Sequence, residues 1–525
     1  MAIRDFFRNR VNRMAESMDL FKKDVFELEG VPAFREYYNL FIFVWQAIYK
    51  GYYKAWHDVP VHTIKNPKGR SRTMSTMNAG KMACAQMARY VWNERCSISA
   101  SMASAPEDDP LDDFLQEVLC ENRFGTAFGD LLEKSFALGG GALKEWVEIP
   151  KDENGNDIGE GKIRIGYTMA SQFIPTAWDN SKVSSGIFIS REARDGYYYT
   201  VVEWHRLDGT TYRVTNDLYR QPIKDGEPQN ILGWWYPLNE IYPLLSPDTT
   251  IYDVQNAFFQ YIRPFGANYA DDNSPLGMSI FAPALNTLHG LDIMFDSLQR
   301  EFVLGKKRII APARAMKMSV LNGGRPDRYF DADDEVWEAL ATDNPEDLKI
   351  YDNSVDLRIE PHLTGINGDL SILCAQIGFD PGTLSFDTNK GLKTATEVVS
   401  ENSKTFGTVK AHENIIADSL RKMVHAIFEL AVHYGLTYKG QSIESLIAGG
   451  YDVKITFDDS IIQDRQQDIN QGIMEIGAGV LSKKKFMMDV LGYTEEVADQ
   501  ELAQIAQESR SNAVDITRLF GGVGE

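Results

Sequence analysis

Apolar side chains recur at three-, four- and seven-residue steps over one long stretch of the chain, from Val398 to Tyr434, which contains no proline. Just before it, Thr394 and Glu397 stand at the S/T-x-x-E spacing, in which a hydroxyl and a carboxylate each satisfy an amide at a helix start. The pattern predicts a helix of about 38 residues and roughly 57 Å. Because ordinary globular helices run roughly 8 to 20 residues, this one is typical of a strut or an assembly element. A long helix of an α-rich enzyme is the alternative.

Helical periodicity also marks several other segments. Apolar residues at three- and four-residue steps predict helices over Asn78–Asn93, Asp109–Leu138 and Ser279–Leu304. A shorter helix is predicted over Asp369–Ile377. Near the C-terminal end, Ser482 has the chemistry of an N-cap for a further short helix.

Between residues 162 and 220 the apolar period changes to two, which predicts a region of antiparallel hairpins. Strands are also predicted over Ala142–Val147, Val355–Glu360 and Tyr451–Phe457. The chain shows no alternation of strand, helix and strand of the kind that builds parallel sheets. The sequence therefore predicts an α+β fold that is mostly helical.

Length and charge limit the class of protein. At 525 residues the chain is long enough for about two to four domains. A hydrophobic content of 43% is typical of a well-packed protein. The 54 basic and 75 acidic residues give a net charge of −21, which argues against a surface that wraps nucleic acid by neutralising phosphates. This charge is still compatible with a protein past which nucleic acid slides.

The cysteines Cys84, Cys96, Cys120 and Cys374 lack metal-ligand spacing and are too few for a disulfide framework, which favours reduced thiols in a cytosolic chain. Residues 1–14 have no apolar core, so no signal peptide is expected. The most apolar window, at 40–48, has about half the length of a membrane span. We expect it to form a packed or subunit-contact helix in a soluble protein.

Motifs for catalysis or ligand binding are absent from the sequence. Gly139–Gly141 is the one glycine-rich loop, and it has neither the GxGxxG nor the GxxxxGK[ST] spacing. The eight histidines are scattered, and no HExxH motif is present. An acidic cluster formed by Asp331, Asp333, Asp334 and Glu335 has ligand chemistry for a divalent cation, but a run without fixed geometry is usually a solvated face. We therefore expect no catalytic, cofactor-binding or metal site.

Five segments in a particular order carry a resemblance to a known family. They are NAGKMACAQMARYVWNERCSI at 78–98, FALGGGALKEWV at 136–147, NSPLGMSI at 273–280 with LDIMFD at 291–296, GLKTATE at 391–397, and GAGVLSK at 477–483 with LGYTEE at 491–496. Together they resemble the portal proteins of tailed bacteriophages, of the type found in long-tailed phages of Gram-positive hosts. The resemblance covers nearly the whole chain.

The resemblance implies a homo-oligomeric ring of about twelve subunits at one capsid vertex, built from contacts between unlike faces of neighbouring copies. It also implies a portal-type fold. The implied regions are a wing at 1–275, a first stem helix at 276–304, a clip at 305–360, a second stem helix at 361–380, a tunnel loop at 381–396, a long helix at 397–434 and a crown at 435–525.

The partners implied by the resemblance are double-stranded DNA in the axial channel, the terminase large subunit that pumps it, a head–tail adaptor, and the major capsid and scaffolding proteins. No cofactor, enzymatic activity or membrane is implied. The protein is expected in the virion, after assembly in the host cytoplasm.

On the implied tunnel loop, Lys390 and Lys393 are candidates for transient contact with DNA phosphates, and Thr388, Asn389 and Thr394 are weaker hydrogen-bonding neighbours. A solvated loop is the alternative. About twelve copies of the chain carry roughly −250 in total, and an acidic lumen repels phosphate instead of trapping it. A few basic groups at the narrowest point then suffice to touch moving DNA.

The acidic cluster at 331–335 falls on the implied clip, where it is a candidate docking face for the motor or the adaptor, with plain solvation as the alternative. Two other functions stay open. One is an intracellular, nucleotide-using enzyme with its site at the glycine triplet, and the other is a different phage structural component, such as a capsid or tail-associated protein.

Overall fold

A computed structural model gives the fold of the chain. The residues that it describes are 23–32, 34–63, 66–102, 109–150, 159–180, 182–223, 231–271, 274–305, 309–310, 317–320, 326–329, 351–352, 356–386, 403–458, 472–489, 493 and 497–505. In this part of the chain helices and antiparallel strands both occur, which confirms the predicted α+β class.

The described helices differ widely in length, and the longest of them lies in the C-terminal third of the chain. They are α1 Phe34–Tyr49, α2 Lys54–His57, α3 Ala79–Val91, α4 Pro110–Glu121, α5 Phe124–Leu138, α6 Leu238–Ile241, α7 Leu285–Leu304, α8 Ile359–Ile377, α9 Ser403–His433, α10 Ile443–Ile447 and α11 Lys483–Asp489. Helical residues also occur at 472–477 and 497–505.

The strands lie mostly in the first half of the chain. They are β1 Lys23–Asp24, β2 Asp58–Thr63, β3 Asn66–Thr73, β4 Ser97–Met102, β5 Gly141–Glu148, β6 Lys162–Met169, β7 Phe173–Asp179, β8 Lys182–Arg194, β9 Tyr197–Asp208, β10 Thr211–Pro222, β11 Ile231–Tyr236, β12 Asp248–Ile251, β13 Phe259–Ile262, β14 Ile309–Ile310, β15 Lys317–Val320, β16 Pro326–Tyr329, β17 Tyr351–Asp352, β18 Thr437–Tyr438, β19 Gln441–Ser442 and β20 Tyr451–Thr456.

Seven of these strands join one antiparallel sheet with the order β1-β11-β10-β9-β8-β7, in which β12 also pairs with β10. The predicted hairpin region at 162–220 is confirmed. In one of its two-residue hairpins Asp208 pairs with Thr211, and Gly209 takes a φ of 59° that suits glycine in a short turn. A smaller sheet, β13-β5-β6, contains the predicted strand after the glycine triplet.

Pairing between distant parts of the chain adds strands that local pattern did not predict. The strand β4 pairs with β20, so that Ser101 lies opposite Asp452. The β2–β3 hairpin lies between α2 and α3, where no strand was predicted. Short strands of this kind have too few alternating positions to stand out from loops.

The predicted long helix is confirmed as α9 over its described residues, and at 31 residues it is the longest helix there. Its predicted start at Thr394–Glu397 lies outside the described residues. The buried side chains of α9 enter two hydrophobic clusters. One cluster joins α9 to the helices, and the other joins Ala426 and Leu430 of α9 to Phe188 and Tyr212 of the large sheet. The helix therefore ties the helical part of the fold to the sheet.

Helices α7 and α8 form an antiparallel hairpin. Thr287 donates to Gln376 at one end, and Arg358 pairs with Glu301 at the other. Small residues allow the close approach between them, because a β-carbon on Gly290 would lie 3.2 Å from Oδ2 of Asp369. After α7 the chain passes through β14, and before α8 it passes through β17. These two strands pair with each other.

Near α8 one sequence prediction was wrong, and another was confirmed as a helix but was too short. The predicted strand at 355–360 ends in the first turn of the helix, because Ile359 and Glu360 are helical. The predicted helix at 369–377 in fact begins ten residues earlier, at Ile359. Pro361 explains both errors, since proline suggests a break, yet it is tolerated in a first turn whose amides have no intrahelical partner.

No helix among the described residues is long and apolar enough to cross a membrane. The window at 40–48 lies in α1, where Trp45 is buried, as the predicted packing requires, while Leu40 and Phe43 are exposed. All four cysteines are free thiols, as predicted.

Candidate functional site

The residues that the sequence singled out lie outside the part of the chain that the structure describes. These are the loop residues Thr388, Asn389, Lys390, Lys393 and Thr394, and the acidic residues Asp331, Asp333, Asp334 and Glu335. Their roles stay predictions. The structure describes the helices and strands before and after these residues. The contacts of those elements show where each of the two segments joins the fold.

The base of the segment 381–404 is closed by a reciprocal pair of hydrogen bonds. The amide of Asp380 donates to the hydroxyl of Thr405, and the amide of Thr405 donates to Oδ2 of Asp380, both at 2.8 Å. One turn later the hydroxyl of Thr408 donates to the carbonyl of Gly378 at 2.8 Å. The end of α8 and the start of α9 are therefore fastened together, and the segment between them starts and returns at one point.

Gly378 makes this junction possible. It ends α8 with a φ of 87°, in the left-handed region where a side chain is strained, and a β-carbon there would run into the side chain of Thr408. The site requires a glycine for both reasons.

Three polar side chains of α9 form hydrogen bonds with residues outside this helix. His412 is buried and accepts a hydrogen bond at Nδ1 from the amide of Phe265, at 2.9 Å. Burial lowers the pKa of His412 to about 4, so the ring is neutral at physiological pH. More than three turns further along α9, Nδ1 of His425 lies 2.7 Å from the hydroxyl oxygen of Tyr451. Glu429 accepts a hydrogen bond from the amide of Gln255 at 2.5 Å. These contacts fix α9 against its neighbours.

On α7, the buried carboxylate of Asp292 gathers three partners from the N-terminal part of the chain. Its Oδ1 accepts from the hydroxyl of Thr76 at 2.8 Å and from the amide of Met77 at 2.9 Å. Its Oδ2 lies 3.1 Å from Nε2 of the buried His57. This side chain therefore holds Thr76 and Met77, which follow the β2–β3 hairpin, on α7.

One turn further along α7, Asp296 forms a two-pronged pair with Arg72, at 2.8 and 2.6 Å, and accepts from the amide of Ser75 at 3.0 Å. Burial acts to raise the pKa of Asp296, but the hydrogen bonds from Arg72 and Ser75 outweigh it, so that the pKa is lowered. Bidentate arginine–carboxylate pairs are among the strongest polar contacts in proteins. The segment 72–77 is therefore anchored on two successive turns of α7.

Neither aspartate was predicted from the sequence, although a signal was present. Asp292 and Asp296 stand four residues apart, so they lie on one helical face. Both aspartates are buried in α7, together with Leu288 and Leu291 of its apolar stripe. Carboxylates next to buried positions require partners, but the sequence did not show which residues supply them.

Large apolar side chains remain exposed on the α7–α8 hairpin. Along its length these are Ile293, 46% exposed, and Ile372, 51% exposed. At the end where α7 stops and α8 begins they are Phe302, Val303, Leu304 and Leu357. Exposed apolar surface of this kind on a well-packed chain indicates a protein–protein contact.

The glycine triplet has a packing role. All three glycines are buried. A β-carbon on Gly139 would meet the carbonyl of Gly277, and one on Gly140 would meet the hydroxyl of Tyr261. The hydroxyl of Tyr261 also donates to the carbonyl of Gly139 at 3.1 Å. The triplet is needed where two backbone segments approach closely, which leaves no room for a phosphate. Within the described part of the chain, no group of three or more His, Cys, Asp or Glu side chains has the geometry for a metal ion.

Comparison with protein families decides among the functional alternatives. The model of the family described as "Phage portal protein, SPP1 Gp6-like" matches residues 42–515, which is most of the chain. The chain belongs to this phage portal family. It is therefore a structural protein of a phage and not an enzyme, which removes the nucleotide-using alternative and the other kinds of phage component.

The solved structures include one from the neck of an empty GTA particle computed with C6 symmetry, which is similar to this portal-family chain at 12% sequence identity. The likeness covers 79% of this chain and 89% of that chain, with a TM-score of 0.35, which does not establish a shared fold. No curated protein matches the chain.

Proposed function

We propose that about twelve copies of this protein close into a ring at one vertex of the capsid, and that double-stranded DNA enters and leaves the head through the axial channel of the ring. The observation that carries the proposal is the family match over residues 42–515. The exposed apolar side chains of the α7–α8 hairpin support it, because a ring covers such surface with a neighbouring copy.

The regions of the portal fold can be assigned on this basis. We assign α7 and α8 as the two stem helices, since they form an antiparallel hairpin whose connecting segment passes through the β14–β17 pair. That segment, at 305–360, is then the clip. The loop closed at its base by Asp380 and Thr405 is the tunnel loop, the described residues before α7 belong to the wing, and those after α9 belong to the crown.

Within this proposal the tunnel loop touches DNA through Lys390 and Lys393, with Thr388, Asn389 and Thr394 nearby. A net charge of −21 per chain supports passage without tight binding, because excess negative charge around the channel repels phosphate. The contact between Asp380 and Thr405 fixes the point at which this loop leaves and rejoins the described part of the fold.

The other partners follow from the same assignment. The clip, with its acidic cluster at 331–335, is proposed to dock the terminase large subunit during packaging and a head–tail adaptor afterwards. Capsid and scaffolding proteins contact the ring at the vertex. Assembly takes place in the host cytoplasm, and the finished ring resides in the virion.

The test is the oligomeric state of the purified full chain, measured by native mass spectrometry and imaged by electron microscopy. The proposal expects closed rings with a central opening wide enough for a DNA duplex. A preparation containing only monomers or dimers, with a melting temperature that rises on adding a nucleotide, would contradict it.

A further inference from the structure

A groove of about 410 Å³ lies on the exposed face of α3, outside the loop that the sequence singled out. One side is formed by α3 residues Asn78 to Arg89, and the other by Leu384. Leu384 precedes the first candidate residue of the tunnel loop, Thr388, by four positions. The groove therefore lies at the root of that loop.

Two of the residues that line the groove are cations. Lys81 and Arg89 are both exposed and line it, with Ala85 midway between them. Positions four and eight residues apart share one helical face, and eight residues of helix span about 12 Å. The small side chain of Ala85 leaves the space between the cations open to a ligand that runs along the helix.

These two cations differ from other basic residues at the surface. In the part of the chain that the structure describes, neither Lys81 nor Arg89 forms an ion pair, and the groove is lined by no carboxylate. Several exposed lysines elsewhere pair with acids, as in Lys162–Glu121, Lys422–Asp418, Lys439–Asp113 and Lys484–Asp499. The chain has 21 more acidic than basic residues. Two cations on one helical face, in a groove lined by no carboxylate, therefore make a local positive surface.

A run of regularly spaced anions matches this surface. Each strand of DNA carries one phosphate per roughly 3.4 Å of helix axis, so cations about 12 Å apart reach different phosphates of one strand. The groove also presents the side-chain amide of Gln86, and amides bind phosphate oxygens as donors. The exposed apolar side chain of Met82 offers contact for the deoxyribose between the phosphates.

We propose that the α3 groove is a second phosphate-contact site for DNA, in which Lys81 and Arg89 bind the sugar–phosphate backbone beside the tunnel loop. The inference rests on the proposed portal function and extends it to residues outside the loop. It assigns the groove to a polyanionic ligand, and not to an acidic segment of a neighbouring subunit.

The test compares rings of the unchanged chain with rings of the double variant Lys81→Gln/Arg89→Gln. Affinity for a fluorescent DNA duplex is measured between 50 and 200 mM salt, at about pH 7. The matched control is Lys182→Gln/Lys454→Gln, which removes the same charge from two exposed lysines on β8 and β20. The inference expects a slope of log K against log salt that is shallower by about 2 in the groove variant and unchanged in the control.

Three results would overturn the inference. Equal affinity and slope for the unchanged and groove-variant rings would do so, and so would an absence of DNA binding by unchanged rings at 50 mM salt. Loss of rings in the groove variant alone, with a folded monomer, would assign the groove to a neighbouring subunit.

A charge-conserving variant, Lys81→Arg/Arg89→Lys, is expected to keep the DNA affinity, and loss of that affinity would exclude a simple electrostatic contact. Failure of the unchanged chain to form rings would instead contradict the proposed function itself.

Discussion

Asp380 and Thr405 lie 25 positions apart in the chain, yet each accepts a hydrogen bond from the other's backbone amide at 2.8 Å. Both residues are buried, so water cannot replace either bond. The pair joins the end of α8 to the start of α9 and determines where the intervening loop leaves the fold.

We expect Thr405→Val to destabilise this junction by about 1 to 3 kcal/mol, because the shape is kept while the amide of Asp380 loses its buried acceptor. Denaturant unfolding measures the loss, and hydrogen exchange at residues 378–408 locates it. Thr126→Val is the control, since Thr126 is exposed and bonds a carbonyl within its own turn. If both variants unfold at the same denaturant concentration, the junction contributes little.

The buried strand residue Glu145 predicts a pH dependence of stability. It is 2% exposed, and burial raises the pKa of its carboxyl to about 8. Below pH 4.5 the folded and unfolded states both hold the proton. As the pH rises from there toward 8, the unfolded state ionises first, so the stabilising contribution is progressively lost.

Glu145→Gln should remove this dependence, because the amide is neutral at every pH. We expect the variant to gain at least about 1 kcal/mol in stability relative to the unchanged protein between pH 5 and pH 9. Thermal unfolding across that range measures it. Glu117→Gln, at an exposed position of α4, is the control. Parallel pH profiles for the unchanged protein and Glu145→Gln would show that Glu145 does not hold its proton in the fold.

The buried stripe of α9 and the exposed apolar side chains of the α7–α8 hairpin predict different defects. Val409 and Leu420 on α9 are 3% and 0% exposed, so Val409→Asp or Leu420→Asp should prevent folding by burying a charge. The milder Leu420→Ala should cost about 2 to 5 kcal/mol. Soluble expression and denaturant unfolding distinguish these outcomes from an assembly defect.

Ile293→Asp and Ile372→Asp should leave the monomer folded, because both side chains are exposed, but should abolish rings by placing a charge in the proposed subunit contact. Native mass and circular dichroism measure the two properties separately. Asn286→Asp adds the same charge at an exposed polar position of α7 and should keep the rings. Normal ring yield from both isoleucine variants would mean that this surface faces solvent in the assembly.

Reversing the charge of the loop, with Lys390→Asp and Lys393→Asp together, should leave ring assembly intact and reduce packaged DNA. Two repulsive groups per subunit would then face the phosphates at the channel. Electron microscopy of rings and the DNA content of heads measure the two outcomes. Full heads at the normal frequency would remove these lysines from the proposed mechanism.

The sequence alone determined the features that depend on local periodicity. The long helix α9, the hairpins between residues 162 and 220, and the N-cap at Ser482, whose hydroxyl accepts from the amide of Lys485, follow from spacings that each segment carries by itself. The order of the family segments carried the portal resemblance, and the family match confirmed it.

Tertiary structure decided which distant residues meet. The pairing of β4 with β20, the Asp380–Thr405 junction, and the hold of Asp292 and Asp296 on the segment 72–77 join positions between 25 and more than 200 residues apart. No local pattern encodes such partners, because a buried carboxylate or an unpaired strand edge specifies only that a partner is needed. Which residue fills that need is settled by the packing of the whole chain.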